Sequence, residues 1–169
     1  MFKKIIILIY LIKYSNLVPR SRKSLLQQGD GQVLPPGTLA NIPNYNYDTL
    51  VVELGTDNSA GRERTLKWAA RYGLIANTLQ CPECQQEEAS LVKYNSPDGF
   101  TWRCNRCRYS LADQTSSRYS VRYSSFFANS KISINQIFKL AYYWSTHPTS
   151  TIDRIIEETN IHNKNTITQ

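Results

Sequence analysis

Four cysteines, all between residues 81 and 107, carry the clearest chemistry in this 169-residue chain. They fall as Cys81-x2-Cys84, a 19-residue gap, and Cys104-x2-Cys107. Two residues between thiols let a short knuckle aim both sulfurs at one ion, about 2.3 Å from each. The gap is long enough for a β-hairpin that returns the second knuckle to the first. The layout is that of a four-thiolate zinc site, with Cys81, Cys84, Cys104 and Cys107 as ligands to one Zn2+. Four thiolates close the coordination sphere, so such a site is structural and leaves no place for a catalytic water. The alternative is a pair of disulfides. The spacing disfavours it, because a bridge within CxxC is strained and usually redox-active.

Three arginines, Arg103, Arg106 and Arg108, surround the second pair in "FTWRCNRCRYS". Four thiolates on a divalent ion leave a net charge of about −2, which these guanidiniums would offset while lowering the thiol pKa values. The formal charge of +7 is concentrated in two places. Residues 1–30 hold six Lys/Arg against Asp30, and residues 102–147 hold seven against Asp113. A localised basic band points to a polyanion, most often nucleic acid, although a solvated surface face gives the same composition. On the DNA reading, phosphates are contacted by Arg103, Arg106, Arg108, Arg118, Arg122 and Lys131.

The elements that must position these groups follow from the flanking residues. "SLVKY" and "FTWRC" read as strands joined by "NSPDG", a turn in which Gly99 can take positive φ. Arg108-Tyr109-Ser110 returns as Arg118-Tyr119-Ser120, and the first copy is expected to complete the third strand of the ribbon. Upstream, "SAGRERTLKWAARYG" predicts a helix capped by Ser59 and stopped by Gly73, with Trp68 and Tyr72 as packing residues. Downstream, "SINQIFKLAYYWSTH" predicts a helix capped by Ser133, with Ile134, Ile137, Phe138, Ala141 and Trp144 on one face. "TSTIDRIIEETN" predicts a shorter helix with Ile152, Ile155 and Ile156 inward, closed by Asn160. The turn "IHNKN" and a last "TITQ" would then make a truncated helix-turn-helix, whose final helix of about one turn cannot hold itself together in water. An ordinary helical hairpin covering the ribbon is the competing architecture.

The N-terminal 58 residues read as irregular, with Gly29, Gly31, Pro35, Pro36, Gly37 and Pro43, and one short strand in "YDTLVVEL" at 47–54. "MFKKIIILIYLIKY" has the shape of a signal peptide and is too short to span a bilayer. Lys13 closes the apolar run and no small-residue cleavage site follows, so a secretion signal is disfavoured. Secretion would also place the thiols in an oxidising compartment.

The order of helix, "CPEC", hairpin, "FTWRCNRC", the S-x-R-x-x-S-F-F segment from Ser120 to Phe127, "ANSKISINQIFKLAYYW" and "IIEETNIHNKNTIT" resembles the N-terminal part of transposases of Merlin-type DNA transposons. It is similar as well to their bacterial insertion-sequence relatives. The resemblance runs from about residue 59 to 169 and implies a zinc ribbon beside a helical segment that recognises transposon ends. A ribonuclease-H-like catalytic domain with metal-binding acids follows in that family. No carboxylate here matches those acids, and Asp153 and Glu157 belong on the solvent face of a short helix. Ser124 stands where the family usually has glycine, and the stretch between Cys107 and Ser120 is longer than usual.

The expected architecture is small α+β: a zinc ribbon of three short antiparallel strands at 81–127, preceded by a helix at 59–80 and followed by a helix-turn-helix-like segment at 128–169. Residues 1–58 are expected to be irregular or disordered. The expected function is a DNA-binding fragment of a transposase-like protein, truncated, without enzyme activity, intracellular, and nuclear in a eukaryotic host. Self-association is a further expectation; a membrane or a small-molecule substrate is not. A protein-interaction module using the apolar helix 134–144 is the alternative.

Overall fold

The computed structural model describes residues 22–27, 29–31, 33, 45–110, 117–147, 149–159 and 161. They form a small α+β unit with a three-stranded antiparallel sheet and five helices.

Helix α1, Tyr47–Leu54, lies where a strand was expected. An eight-residue apolar run fits either period, and its ends decide the matter. The Asn46 side chain accepts from the Thr49 N–H at 2.8 Å, Asp48 sits in the positively polarised first turn, and Gly55 at φ 76 closes the helix onto the Val51 carbonyl. Leu50 and Leu54, four residues apart, then share one face and bury against Trp68. Helix α2, Ser59–Arg71, is capped by Asn58 rather than Ser59, through the Gly61 N–H at 2.9 Å. Gly73 follows at φ 68, the left-handed conformation that ends helices.

The hairpin forms as its sequence suggests. β1, Ser90–Lys93, pairs with β2, Phe100–Arg103, in the register Ser90–Arg103, Leu91–Trp102, Val92–Thr101 and Lys93–Phe100. Gly99 sits at φ 77 in the turn. The third strand is formed by the second RYS phrase and not, as expected, by the first. The first closes helix α3, Asn105–Ser110, and the second is β3, Arg118–Ser120, paired antiparallel to β2. The first copy follows directly on Cys104 and Cys107, where the knuckle must turn, so its backbone cannot continue β2.

Part of the N-terminal region is not irregular either. The Arg22 carbonyl accepts from the Leu91 N–H at 2.6 Å, a bridge beside β1, and Leu25 and Leu26 enter the core. That core gathers Leu66, Ala69 and Ala70 of α2, Leu91, Phe100 and Trp102 of the hairpin, and Val121, Phe127 and Ile134.

Helix α4, Ile134–Thr146, opens on a capping box between Ser133 and Gln136. Its inward face departs from the expected stripe: Ala141 is exposed, Trp144 is 50% exposed and Tyr143 is buried. The reason is that α1 and the helix at Ile152–Thr159 cover the Tyr143 side, where Tyr47, Leu140, Ile155, Ile156 and Ile161 form a separate small cluster. Buried Asn135 joins three helices by donating to the Thr65 hydroxyl at 2.8 Å and the Gly55 carbonyl at 3.1 Å. Helix α5, Ile152–Thr159, buries Ile155, while Ile152 is 39% exposed and not inward. Asp153 and Glu157 are on its exposed side. Asn160, the turn at 162–165, the segment 166–169, and the apolar start at 1–14 lie outside the described residues, so the helix-turn-helix lies largely outside them too. Among the described residues, no helix is long and apolar enough to cross a membrane.

Candidate metal centre

The first knuckle closes when the Gln85 N–H donates to the Cys81 carbonyl at 2.9 Å, with Gln85 at φ 53. The Cys81 N–H donates to the Glu87 carbonyl at 3.0 Å, tying the knuckle to the strand that leads into β1. The second knuckle is the N-terminus of α3. There the Cys107 N–H donates to the Cys104 sulfur at 3.5 Å, and the Cys104 N–H donates to the Ser117 carbonyl at 2.9 Å. β2 thus delivers Cys104, and the hairpin brings it back to Cys81 and Cys84.

All four sulfurs lie within 4.8 Å of one another. Cys81 Sγ is 3.7 Å from Cys107 Sγ, and Cys84 Sγ is 3.7 Å from Cys104 Sγ. An ion about 2.3 Å from each corner of a tetrahedron needs sulfur–sulfur edges of about 3.8 Å. A disulfide needs about 2.0 Å. The cysteines are free thiols with the spacing of a single-ion site, and the disulfide alternative does not fit. Cys81, Cys104 and Cys107 are buried, while Cys84 is partly open.

The thiols are not equivalent. Backbone N–H groups of Gln86 and Glu87 point at Cys84 and lower its pKa to about 6. Burial, then the neighbouring thiols, push Cys107 up to about 12, and burial raises Cys104. The lowering at Cys84 comes from backbone donors, not from guanidiniums as the sequence led us to expect. One sulfur is prepared as an anion while Cys104 and Cys107 resist charging, an arrangement that a divalent cation relieves.

Two residues that sequence reasoning missed touch this group. The Tyr119 hydroxyl lies 3.7 Å from Cys81 Sγ, and its pKa is raised, first by burial and then by that thiol. Glu87 accepts from the Arg106 N–H at 2.8 Å, takes the Cys104 thiol at 3.8 Å and sits 3.7 Å from Lys23 Nζ. The repeated RYS phrase was a signal for Tyr119; nothing in sequence singled out Glu87.

The predicted cations divide. Arg118 lies over the Tyr94 ring at 5.1 Å and Arg108 over the Tyr109 ring at 5.4 Å. Arg103 is half-buried between them, and Arg106 and Lys131 are exposed. Arg122 is a correction. It is 3% exposed, pairs with Asp98, and donates to the Ser130 and Ile132 carbonyls at 2.8 and 2.6 Å. A guanidinium enclosed in this way holds loops together and cannot reach a phosphate.

The chain is 30% identical over 131 residues to Male abnormal protein mab-31 of Caenorhabditis elegans, in an alignment taking in 70% of this chain. It covers 29% of that relative's length. No protein-family model and no solved structure matches the chain.

Proposed function

We propose that this chain is a zinc-stabilised DNA-binding module, related to the end-binding part of Merlin-type transposases. In this reading Cys81, Cys84, Cys104 and Cys107 hold one structural Zn2+, since an all-sulfur tetrahedral set favours zinc over harder divalent ions. The ion locks the hairpin against α3, and Arg103, Arg106, Arg108 and Arg118 meet phosphates around it, with Lys131 as a further contact beside the hairpin turn. The transposase relationship is supported by the order of motifs from "CPEC" to "IIEETN", and no strand-transfer chemistry is assigned to these residues.

The observation that carries the reading is the convergence of four sulfurs directly beside a guanidinium cluster. Among the described residues, Arg103, Arg108, Arg118 and Lys131 form no ion pair. Surface cations left without carboxylates are available to a polyanion.

Metal analysis of purified protein tests the first half, with one zinc per chain expected. Duplex DNA binding at several salt concentrations tests the second. Affinity falling steeply with salt, with little base selectivity, is expected of phosphate contacts. A flat response would remove the electrostatic model. A second reading, a protein-interaction module, is favoured by the half-exposed Trp144 on α4. A stable dimer that ignores DNA would support it instead.

A further inference from the structure

The outer face of the sheet carries a row of three polar side chains that lack an explanation within the fold. Ser90 of β1 stands opposite Arg103 of β2, and Arg103 stands opposite Arg118 of β3. Strands lie about 4.8 Å apart, so the three side chains start within about 10 Å of one another. Two like charges directly opposite each other destabilise a strand pair. Ser90, 1% exposed, closes the row at its buried end, while Arg103 is half-buried and Arg118 is exposed. An anion above Arg103 and Arg118 would screen the arginine pair.

The surroundings of the row restrict what that anion belongs to. Tyr94, 47% exposed, lies under Arg118, and Tyr109, 80% exposed, lies under Arg108. Between Tyr94, Ser96, Thr101, Arg118 and Ser120 is an open depression of about 280 Å³. Free phosphate has no use for aromatic rings, and bases within a duplex are already stacked on both sides. An unpaired nucleotide has both a phosphate for the arginines and a free base face for a ring.

We infer that Arg103 and Arg118 bind a backbone phosphate of single-stranded nucleic acid, with an adjacent unpaired base stacked at Tyr94. This deepens the proposed function and rests on it: the guanidinium cluster assigned to phosphates becomes a site that prefers an unpaired strand. The shared chemistry, a phosphodiester next to an exposed base, belongs to DNA and RNA alike.

The test is fluorescence anisotropy with the metal-loaded full chain. The probes are a labelled oligonucleotide of about 12 nucleotides, as DNA and as RNA, and the corresponding DNA duplex. The single strand is expected to bind at least about tenfold more tightly than the duplex, since stacking one base is worth about 1–3 kcal/mol. Tyr94→Ala should remove about tenfold of single-strand affinity, and Tyr94→Phe should retain it. Arg118→Ala should reduce the salt slope by about 0.7, the contribution of one phosphate on a single strand. Metal content and thermal transition, measured on each variant, separate binding from folding. Should Tyr94→Ala not fold, the Arg118→Ala slope decides alone. Unequal binding of the DNA and RNA strands identifies the natural source, with both outcomes supporting the site. Duplex preferred over single strand, or Tyr94→Ala binding like wild type, overturns this inference and leaves the proposed function standing. Failure to bind either form overturns both.

Discussion

Arg122 and Asp98 form a buried ion pair that fixes the hairpin turn to the start of α4. Arg122 Nη2 donates to Asp98 Oδ1 at 2.8 Å, and the same oxygen accepts from the Ile134 N–H at 3.0 Å. Asp98 is therefore both counter-ion and part of the helix cap, a carboxylate at the positive end of the helix dipole. Arg122 in turn holds the carbonyls of Ser130 and Ile132, the residues just before α4. The pair sets where α4 leaves the ribbon.

Removing either partner leaves a charge buried without its opposite. Asp98→Ala and Arg122→Ala are each expected to cost about 3–5 kcal/mol in urea unfolding. The two costs should be far from additive in the double variant, because the second substitution removes the stranded charge. Losses that simply sum would mean that the pair is not coupled. Arg118→Ala, on an exposed residue, is expected to change stability by under about 0.5 kcal/mol.

The sequence made the metal ligands readable because CxxC spacing is a covalent constraint that survives any packing. The NSPDG turn and the Ser133 cap were readable for a similar reason, since each depends on residues within a few positions. Arg122 was misread because its charge is visible in composition, whereas its partner lies 24 residues earlier in the hairpin turn. α1 was misread because its eight-residue apolar run fits either period, and the Asn46 and Gly55 ends that decide for a helix lie outside that run. The two RYS phrases show the same limit more sharply. One tripeptide is helical beside Cys107 and extended beside β2, so neighbours and not propensity decide its state. Leu25 and Leu26 sit among glycines and prolines that conceal them as core residues.

Gly61 offers a test of how tightly α1 and α2 meet. Alanine in a helix interior normally gains about 1 kcal/mol over glycine. Here a Cβ would stand 1.7 Å from the Thr56 carbonyl oxygen. A backbone atom cannot swing aside as a side chain can, so Gly61→Ala is expected to destabilise by about 1–3 kcal/mol in the same urea assay. Ala60→Gly, on the exposed side of the same turn, should cost about 1 kcal/mol or less. Were Gly61→Ala neutral, the close approach of the loop to the helix would be wrong.

Asp30 gives the fold a pH-sensitive contact. Lys67 Nζ at 2.8 Å and the Gln27 N–H at 2.9 Å hold its carboxylate, and these partners lower its pKa below the ordinary value. A group with a depressed folded-state pKa stabilises above its unfolded pKa and loses that contribution as pH falls through the folded one. Asp30→Asn should therefore be less stable than wild type at neutral pH. The gap should narrow below about pH 4 and close once the wild-type carboxyl is protonated. Comparing the two proteins at each pH cancels any acid effect on the thiols. A gap that widens in acid would contradict the Lys67 contact.

Metal removal should not act evenly along the chain. α3 has six residues, fewer than an isolated helix needs to persist in water, and two of its neighbours in the fold are the sulfurs of Cys81 and Cys84. β3 is three residues long and reaches the rest of the fold through β2 and the Tyr119 contact with Cys81. Without an ion, Cys104 and Cys107 stay protonated, nothing ties the four sulfurs together, and both elements loosen. α1, α2 and α4 share an apolar cluster of Leu50, Leu54, Trp68 and Phe138 that contains no thiol. Chelation is thus expected to leave most helical circular dichroism while amide exchange accelerates first across 104–110 and 117–120, because these amides depend on the ion and those of α2 on burial. Substituting Cys104 or Cys107 by serine should reproduce this pattern without chelator. Equal loss of protection in α2, in α3 and in β3 would show instead that the ion holds the whole fold as one cooperative unit.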